Sequence, residues 1–134
     1  MTSKDELQAF FQQAFPHSVL VIEEVKEGSA IIRKPIGQAD LRPGNTVSGP
    51  TLMAIADAAL YAAILGTIGL QALAVTTNLN INFLRKPSPE NDIVAKCILI
   101  KLGKALAVGE VFIYSDGLPD PVAHAIGTYS IPPN

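Results

Sequence analysis

The chain has 134 residues, enough for one domain spanning 1–134 that buries roughly two thirds of its unfolded surface. Hydrophobic residues make up 49% and charged residues 16%, with a mean hydropathy of +0.32, which excludes a disordered chain. The net charge of −2 argues against a nucleic-acid partner, and the single cysteine, Cys97, excludes an internal disulfide framework and a multi-cysteine zinc site.

Lys4, Asp5 and Glu6 precede only scattered apolar residues, so the reading expects no signal peptide and a cytoplasmic protein. Leu7, Phe10, Phe11 and Ala14 recur at three and four, which predicts a helix over 4–14, ended by Pro16. Residues 19–25 are rich in β-branched side chains and read as a strand. Glu27-Gly28-Ser29 turns the chain into a return strand over 30–36. Residues 37–48 read as a loop, broken by Pro43, Gly44 and Asn45.

Ser48 then suits an N-cap and Pro50 a first helical turn, predicting a helix over 50–65 stopped by Gly66. Residues 58–75 carry no charge over 18 positions, the threshold length for a membrane span. Gly66, Gly69 and Gln71 interrupt them, Asp57 precedes them and no Lys/Arg cluster flanks them, so the expectation is a helix buried on nearly all sides of a soluble fold. From Leu73 the period becomes two. Leu73, Val75, Thr77, Leu79, Ile81 and Phe83 share one face, and Ala74, Thr76, Asn78, Asn80 and Asn82 the other, until Arg85-Lys86-Pro87. Residues 92–102, 105–114 and 122–131 read as three further strands, joined as hairpins through Gly103-Lys104 and Asp116-Gly117-Leu118-Pro119. One long apolar helix against an antiparallel sheet defines an α+β domain.

Between Arg42 and Arg85 the only charged residue is Asp57, two turns into the apolar helix. Its neighbours Ile55, Ala56, Ala58 and Ala59 offer it no partner. An uncompensated buried carboxylate costs several kcal/mol, so this position reads as a general base or nucleophile in a cleft, or else as a cap or groove-facing group. Gly49, at the helix start, offers an unpaired N–H reinforced by the helix dipole, a donor suited to a developing oxyanion or simply part of the turn. His17 and His124 lack motif spacing and read as ordinary surface or strand residues. Cys97 lies in an apolar strand and reads as core.

The run Leu41-Arg42-Pro43-Gly44-Asn45-Thr46-Val47-Ser48-Gly49-Pro50, followed by Thr51-Leu52-Met53-Ala54-Ile55-Ala56-Asp57 and then Thr76-Thr77-Asn78-Leu79-Asn80-Ile81-Asn82-Phe83-Leu84-Arg85, resembles the PaaI-like hot-dog-fold thioesterases. The resemblance implies a long helix wrapped by a curved antiparallel sheet. It also implies chains paired edge to edge with active sites at the dimer interface, in many members a dimer of dimers forming a homotetramer, and hydrolysis of acyl-coenzyme A thioesters. The family motif sets His-Gly-Gly before the helix and an acid nine positions after the His. Counting back nine from Asp57 reaches Ser48. Asp57 thus matches the catalytic carboxylate, and Gly49 the glycine whose N–H polarises the thioester carbonyl. Ser48 stands where the family has His, Pro50 where it has the second Gly, and Arg42 where many relatives have Asn, with Asn45 nearby.

The expected chemistry has Asp57 activate a water or attack directly while a threonine places the water. Alignment favours Thr76 for this role, and strand parity favours Thr77. No metal or cofactor is called for. The coenzyme A phosphates are expected to meet cations near the cleft mouth: Arg42, Arg85, Lys86, and Lys104 beside Gly103, with Lys101 close by. Met53, Leu52, Ala56 and Leu60 would line an acyl pocket. The alternative is a non-catalytic hot-dog module that binds an acyl-CoA, favoured by the changes at Ser48 and Pro50. A hydratase on the same fold would want a His–acid pair, which is not evident here.

Overall fold

The computed structural model describes residues 1–133. Helix α1 (Lys4–Ala14) starts at Ser3, whose hydroxyl accepts from Glu6 N–H at 3.1 Å while the Glu6 carboxylate accepts from Ser3 N–H at 3.2 Å. Strands β1 (Val21–Lys26) and β2 (Ser29–Lys34) form a hairpin. The segment expected to be loop folds into a short 3-10 turn (Gln38–Asp40) and a two-residue ladder between β3 (Leu41–Arg42) and β4 (Thr46–Val47). Helix α2 (Gly49–Ile68) precedes β5 (Val75–Phe83), β6 (Ile93–Leu102), β7 (Leu106–Ser115) and β8 (Ala123–Ser130).

The six long strands form one antiparallel sheet in the order β1-β2-β6-β7-β8-β5. Helix α2 packs across it, chiefly on β2, β6 and β7, and buries Leu52, Ile55, Leu60, Ile64 and Leu65. Its length and hydropathy would let it cross a membrane, but its apolar surface is spent on the sheet.

Two sequence expectations for α2 are corrected. Gly66 does not stop the helix. It lies inside, where a Cβ would come within 2.5 Å of Val25 Cγ1, and Gly69, at φ 102°, caps the end by donating to Leu65 O at 3.0 Å. Burial on nearly all sides holds for the second half only. Pro50, Met53 and Ala54 are exposed along one stripe of the first half, and Asp57 and Ala58 continue it half-buried.

The close seat of α2 depends on two glycines that face each other across β7 and β8. A Cβ on Gly109 would lie 2.5 Å from Leu60 Cδ2, and one on Gly127 would lie 2.4 Å from Leu60 Cδ1 and 3.1 Å from Leu79 Cδ1. Gly127→Ala therefore overpacks the helix–sheet interface and is expected to lower stability by about 1–3 kcal/mol. Urea denaturation checks this as a lower midpoint with an unchanged m-value.

Candidate active site

Asp57 reaches two donors, both from the sheet. Thr76 Oγ1 donates to Asp57 Oδ1 at 2.5 Å. Tyr129 Oη donates to the same Oδ1 at 2.8 Å and lies 3.1 Å from the Asp57 main-chain oxygen. Thr76 and Tyr129 are directly opposed across β5 and β8, so a single cross-strand pair brings two hydroxyls to one carboxylate oxygen. Among the described residues, Oδ2 receives no side-chain or backbone donor. The carboxylate is half-buried rather than enclosed, so the expected cost of an isolated buried charge does not arise.

A β-bulge decides between the two threonines. The β5–β8 register shifts between Thr76 and Asn78, inserting one extra residue and reversing the facing of the side chains that precede it. Thr76 thereby faces α2 even though Leu79 and Ile81, of opposite parity, also pack on the core. Thr77 turns away and donates to Thr128 O at 3.2 Å. With its only hydroxyl proton on Asp57, Thr76 is placed to hold the carboxylate, and it can meet a water only as an acceptor.

Asp57, Thr76 and Tyr129 line a cavity of about 470 Å³ whose other walls are mainly apolar, including Phe15, Tyr61 and Leu20. Tyr61 stacks on Tyr129 with ring centroids 6.0 Å apart and anchors its own hydroxyl on Ala72 O at 3.1 Å. Burial pushes the Tyr129 phenol well above its ordinary range, and the Asp57 charge pushes the same way against an opposing pull from Thr76, so the ring stays a neutral donor. The sequence pattern does not single out Tyr129. Its signal is faint: in the alternation of β8, Ala123, Ala125 and Gly127 present small side chains on the buried row, and Tyr129 is the one large, polar-tipped member.

The start of α2 lies elsewhere. Ser48 caps the helix, accepting from Thr51 N–H at 3.3 Å and donating to Thr51 Oγ1 at 2.9 Å. Gly49 sits beneath the Phe83 ring, where a Cβ would be 3.4 Å from Phe83 Cζ. Ser48, Gly49, Arg42, Phe83, Arg85 and Lys86 border a second cavity, of about 700 Å³. Gly49 and Asp57 are eight residues apart on one helix, about 12 Å along its axis. One chain therefore does not place the Gly49 N–H and the Asp57 carboxylate on one carbonyl.

The remaining sequence candidates are dispersed. Asn45 sits at φ 54° in the exposed β3–β4 turn, where its N–H donates to Arg42 O at 3.1 Å. Arg85 donates to Pro121 O at 2.8 Å. Met53 is exposed on α2. Gly103 and Lys104 form the β6–β7 turn, outside both cavities. His17 is exposed, and His124 pairs with Glu110 at 2.8 Å. Cys97 is 1% exposed, and burial pushes its thiol up to about 12. A disulfide reagent such as DTNB is expected to leave it unmodified in the native protein and to titrate one thiol after denaturation.

A sequence model of the thioesterase superfamily matches residues 44–121, more than half of the chain. The chain belongs to the thioesterase superfamily. A candidate thioesterase from Silicibacter sp. TM1040 shares 41% identity and superposes with a TM-score of 0.91, over 99% of this chain and 94% of that one. The candidate esterase Ta0293 of Thermoplasma acidophilum is 29% identical over 110 residues, covering 82% of this chain and 81% of its own. A point mutant of the phenylacetic acid degradation protein PaaI from Thermus thermophilus shares the fold, with a TM-score of 0.75 at 22% identity over 91% of this chain and 98% of that one. The α+β reading is thus the hot-dog fold of this thioesterase superfamily, and the class of activity these relatives support is thioester or ester hydrolysis.

Proposed function

We propose that this thioesterase-superfamily chain hydrolyses acyl-CoA thioesters at a site shared by two copies. The observation that carries the proposal is Asp57, anchored through one oxygen by Thr76 and Tyr129, with its other oxygen free of donors from the described residues, on the wall of a largely apolar cavity. Asp57 Oδ2 takes a proton from a water, whose oxygen attacks the thioester carbonyl. The tetrahedral oxyanion is held by a Gly49 N–H, and its collapse breaks the C–S bond. The departing CoA thiolate is protonated from Asp57 or solvent, leaving the free acid. The thiolate is a good leaving group, so one oxyanion donor and no metal suffice.

Strand β5 supplies the geometry for sharing. It is an edge strand, bonded only to β8, with Val75 56% and Phe83 51% exposed. An unprotected apolar edge of this kind is a template for a second strand. Pairing of β5 with its own copy about a two-fold axis is antiparallel and isologous. It lays the Thr76 end of one chain beside the Phe83 end of the other, bringing Asp57 toward the partner's Gly49. The Gly103–Lys104 turn lies at the Thr76 end too, since Leu106, Ser130 and Val75 share one row. That pairing collects Lys104 of one chain with Arg42, Arg85 and Lys86 of the other around the coenzyme A phosphates. Further pairing into a tetramer, and a cytoplasmic setting, belong to the same proposal.

Thiol release from short, medium, long-chain and aromatic acyl-CoAs tests it, and the best substrate identifies the acyl group. One observation favours the second reading, a ligand-binding module: Ser48 spends its hydroxyl on the helix cap, and no cation stands in the place of the family's histidine. Saturable acyl-CoA binding without turnover on any substrate supports that reading.

A further inference from the structure

The geometry points to Tyr129 as the positioning residue that aims Asp57: its hydroxyl pins Oδ1 so that Oδ2 is the oxygen presented to the attacking water. The inference rests on the proposal that Asp57 is the general base. It goes further in assigning a role to a residue that the sequence pattern does not mark, and in dividing labour between the two carboxylate oxygens.

Three observations converge. First, the Tyr129 hydroxyl spans two atoms of the same residue, 2.8 Å from Oδ1 and 3.1 Å from the main-chain oxygen, and so ties the side chain to its own helix turn. An ordinary cross-strand tyrosine would need only one acceptor. Second, the ring has little freedom. It is 3% exposed, stacked on Tyr61, and paired across the sheet with Thr76, the other donor to Oδ1. A donor that is itself held by packing fixes its acceptor without reorganising during reaction. Third, the phenol is unsuited to acid–base work of its own, because burial keeps it protonated through the working range. It therefore cannot serve as the proton source for the leaving thiolate, but it donates to a carboxylate at every pH at which the enzyme works.

Two donors on one oxygen also explain why Thr76 alone is insufficient. A single hydrogen bond leaves the carboxylate free to rotate about it, whereas two donors arriving from different strands remove that rotation.

Steady-state kinetics and pH profiles of Tyr129→Phe, Thr76→Val, Asp57→Asn and the Y129F/D57N double variant form the test. Y129F is expected to lower kcat by about 10-fold to 100-fold while KM stays within about twofold. The acid limb of its kcat/KM profile moves to higher pH, since the phenol donates to the charged form of the base. In the D57N background Y129F costs nothing further, because the two residues act as one unit. A mere packing role would lower stability and leave the pH profile in place. Should Y129F fail to fold, the unsubstituted enzyme labelled with ¹³Cζ-tyrosine provides the second measurement. The Tyr129 resonance should titrate with the acid limb of kcat/KM and be flat in D57N.

Loss of activity in D57N with an unchanged rate and profile in Y129F, or a Tyr129 resonance that ignores the acid limb, overturns the inference and leaves Asp57 as base. Full activity in D57N overturns the underlying mechanism instead.

Discussion

Asp57→Asn is expected to reduce kcat/KM on the best acyl-CoA by about 10³-fold, within the range assigned to a positioned general base. Asparagine keeps the shape of the side chain, and its amide oxygen can still accept from Thr76 and Tyr129 as Oδ1 does now. The fold is therefore expected to survive. What is lost is the second carboxylate oxygen as a proton acceptor, since an amide NH₂ only donates. Thiol release together with a thermal melt checks both parts. A folded D57N protein that hydrolyses its substrate at the original rate would remove Asp57 from the mechanism while leaving the fold and family untouched.

The second large effect appears on mixing. If each site takes Asp57 from one chain and the Gly49 N–H from the other, D57N and Gly49→Val homodimers are both inactive. The valine side chain would stand over the helix N-terminus and crowd the Phe83 ring that already lies 3.4 Å from a Cβ at this position. In a mixed dimer one site carries both lesions and the other carries neither. Random reassortment makes about half of the dimers mixed, each with one intact site, so activity returns to about a quarter of the wild-type level per chain. This is a rise from near zero on combining two dead proteins, measured after co-unfolding and refolding or co-expression. Mixtures that stay inactive despite demonstrated mixed dimers would place both groups in one chain's site. That outcome would require the roughly 12 Å of helix between them to be bridged by a differently placed substrate.

Much of this molecule was legible in the residues, because its elements follow from local rules. The period-three and -four apolar spacing of α1, the Ser48 cap with Pro50 behind it, and the hairpin turns act over a few residues, so the elements could be placed to within a few positions. Asp57 stood out for a similar reason: a lone charge in an apolar helix is visible without knowing what surrounds it.

Tertiary structure decided the rest. Gly66 reads as a helix stop in one dimension, but the approach of Val25, from a distant part of the chain, makes it a packing position inside α2. The choice between Thr76 and Thr77 depends on a bulge, which is a property of the β5–β8 register and not of β5 alone. Tyr129 joins Asp57 only because β8 lies next to β5 in the sheet, a pairing between segments that the chain keeps far apart. Local sequence thus determined which residues could do chemistry. Strand order and register determined which of them meet, because hydrogen bonds form between neighbours in space and the pattern of one segment carries no record of the other.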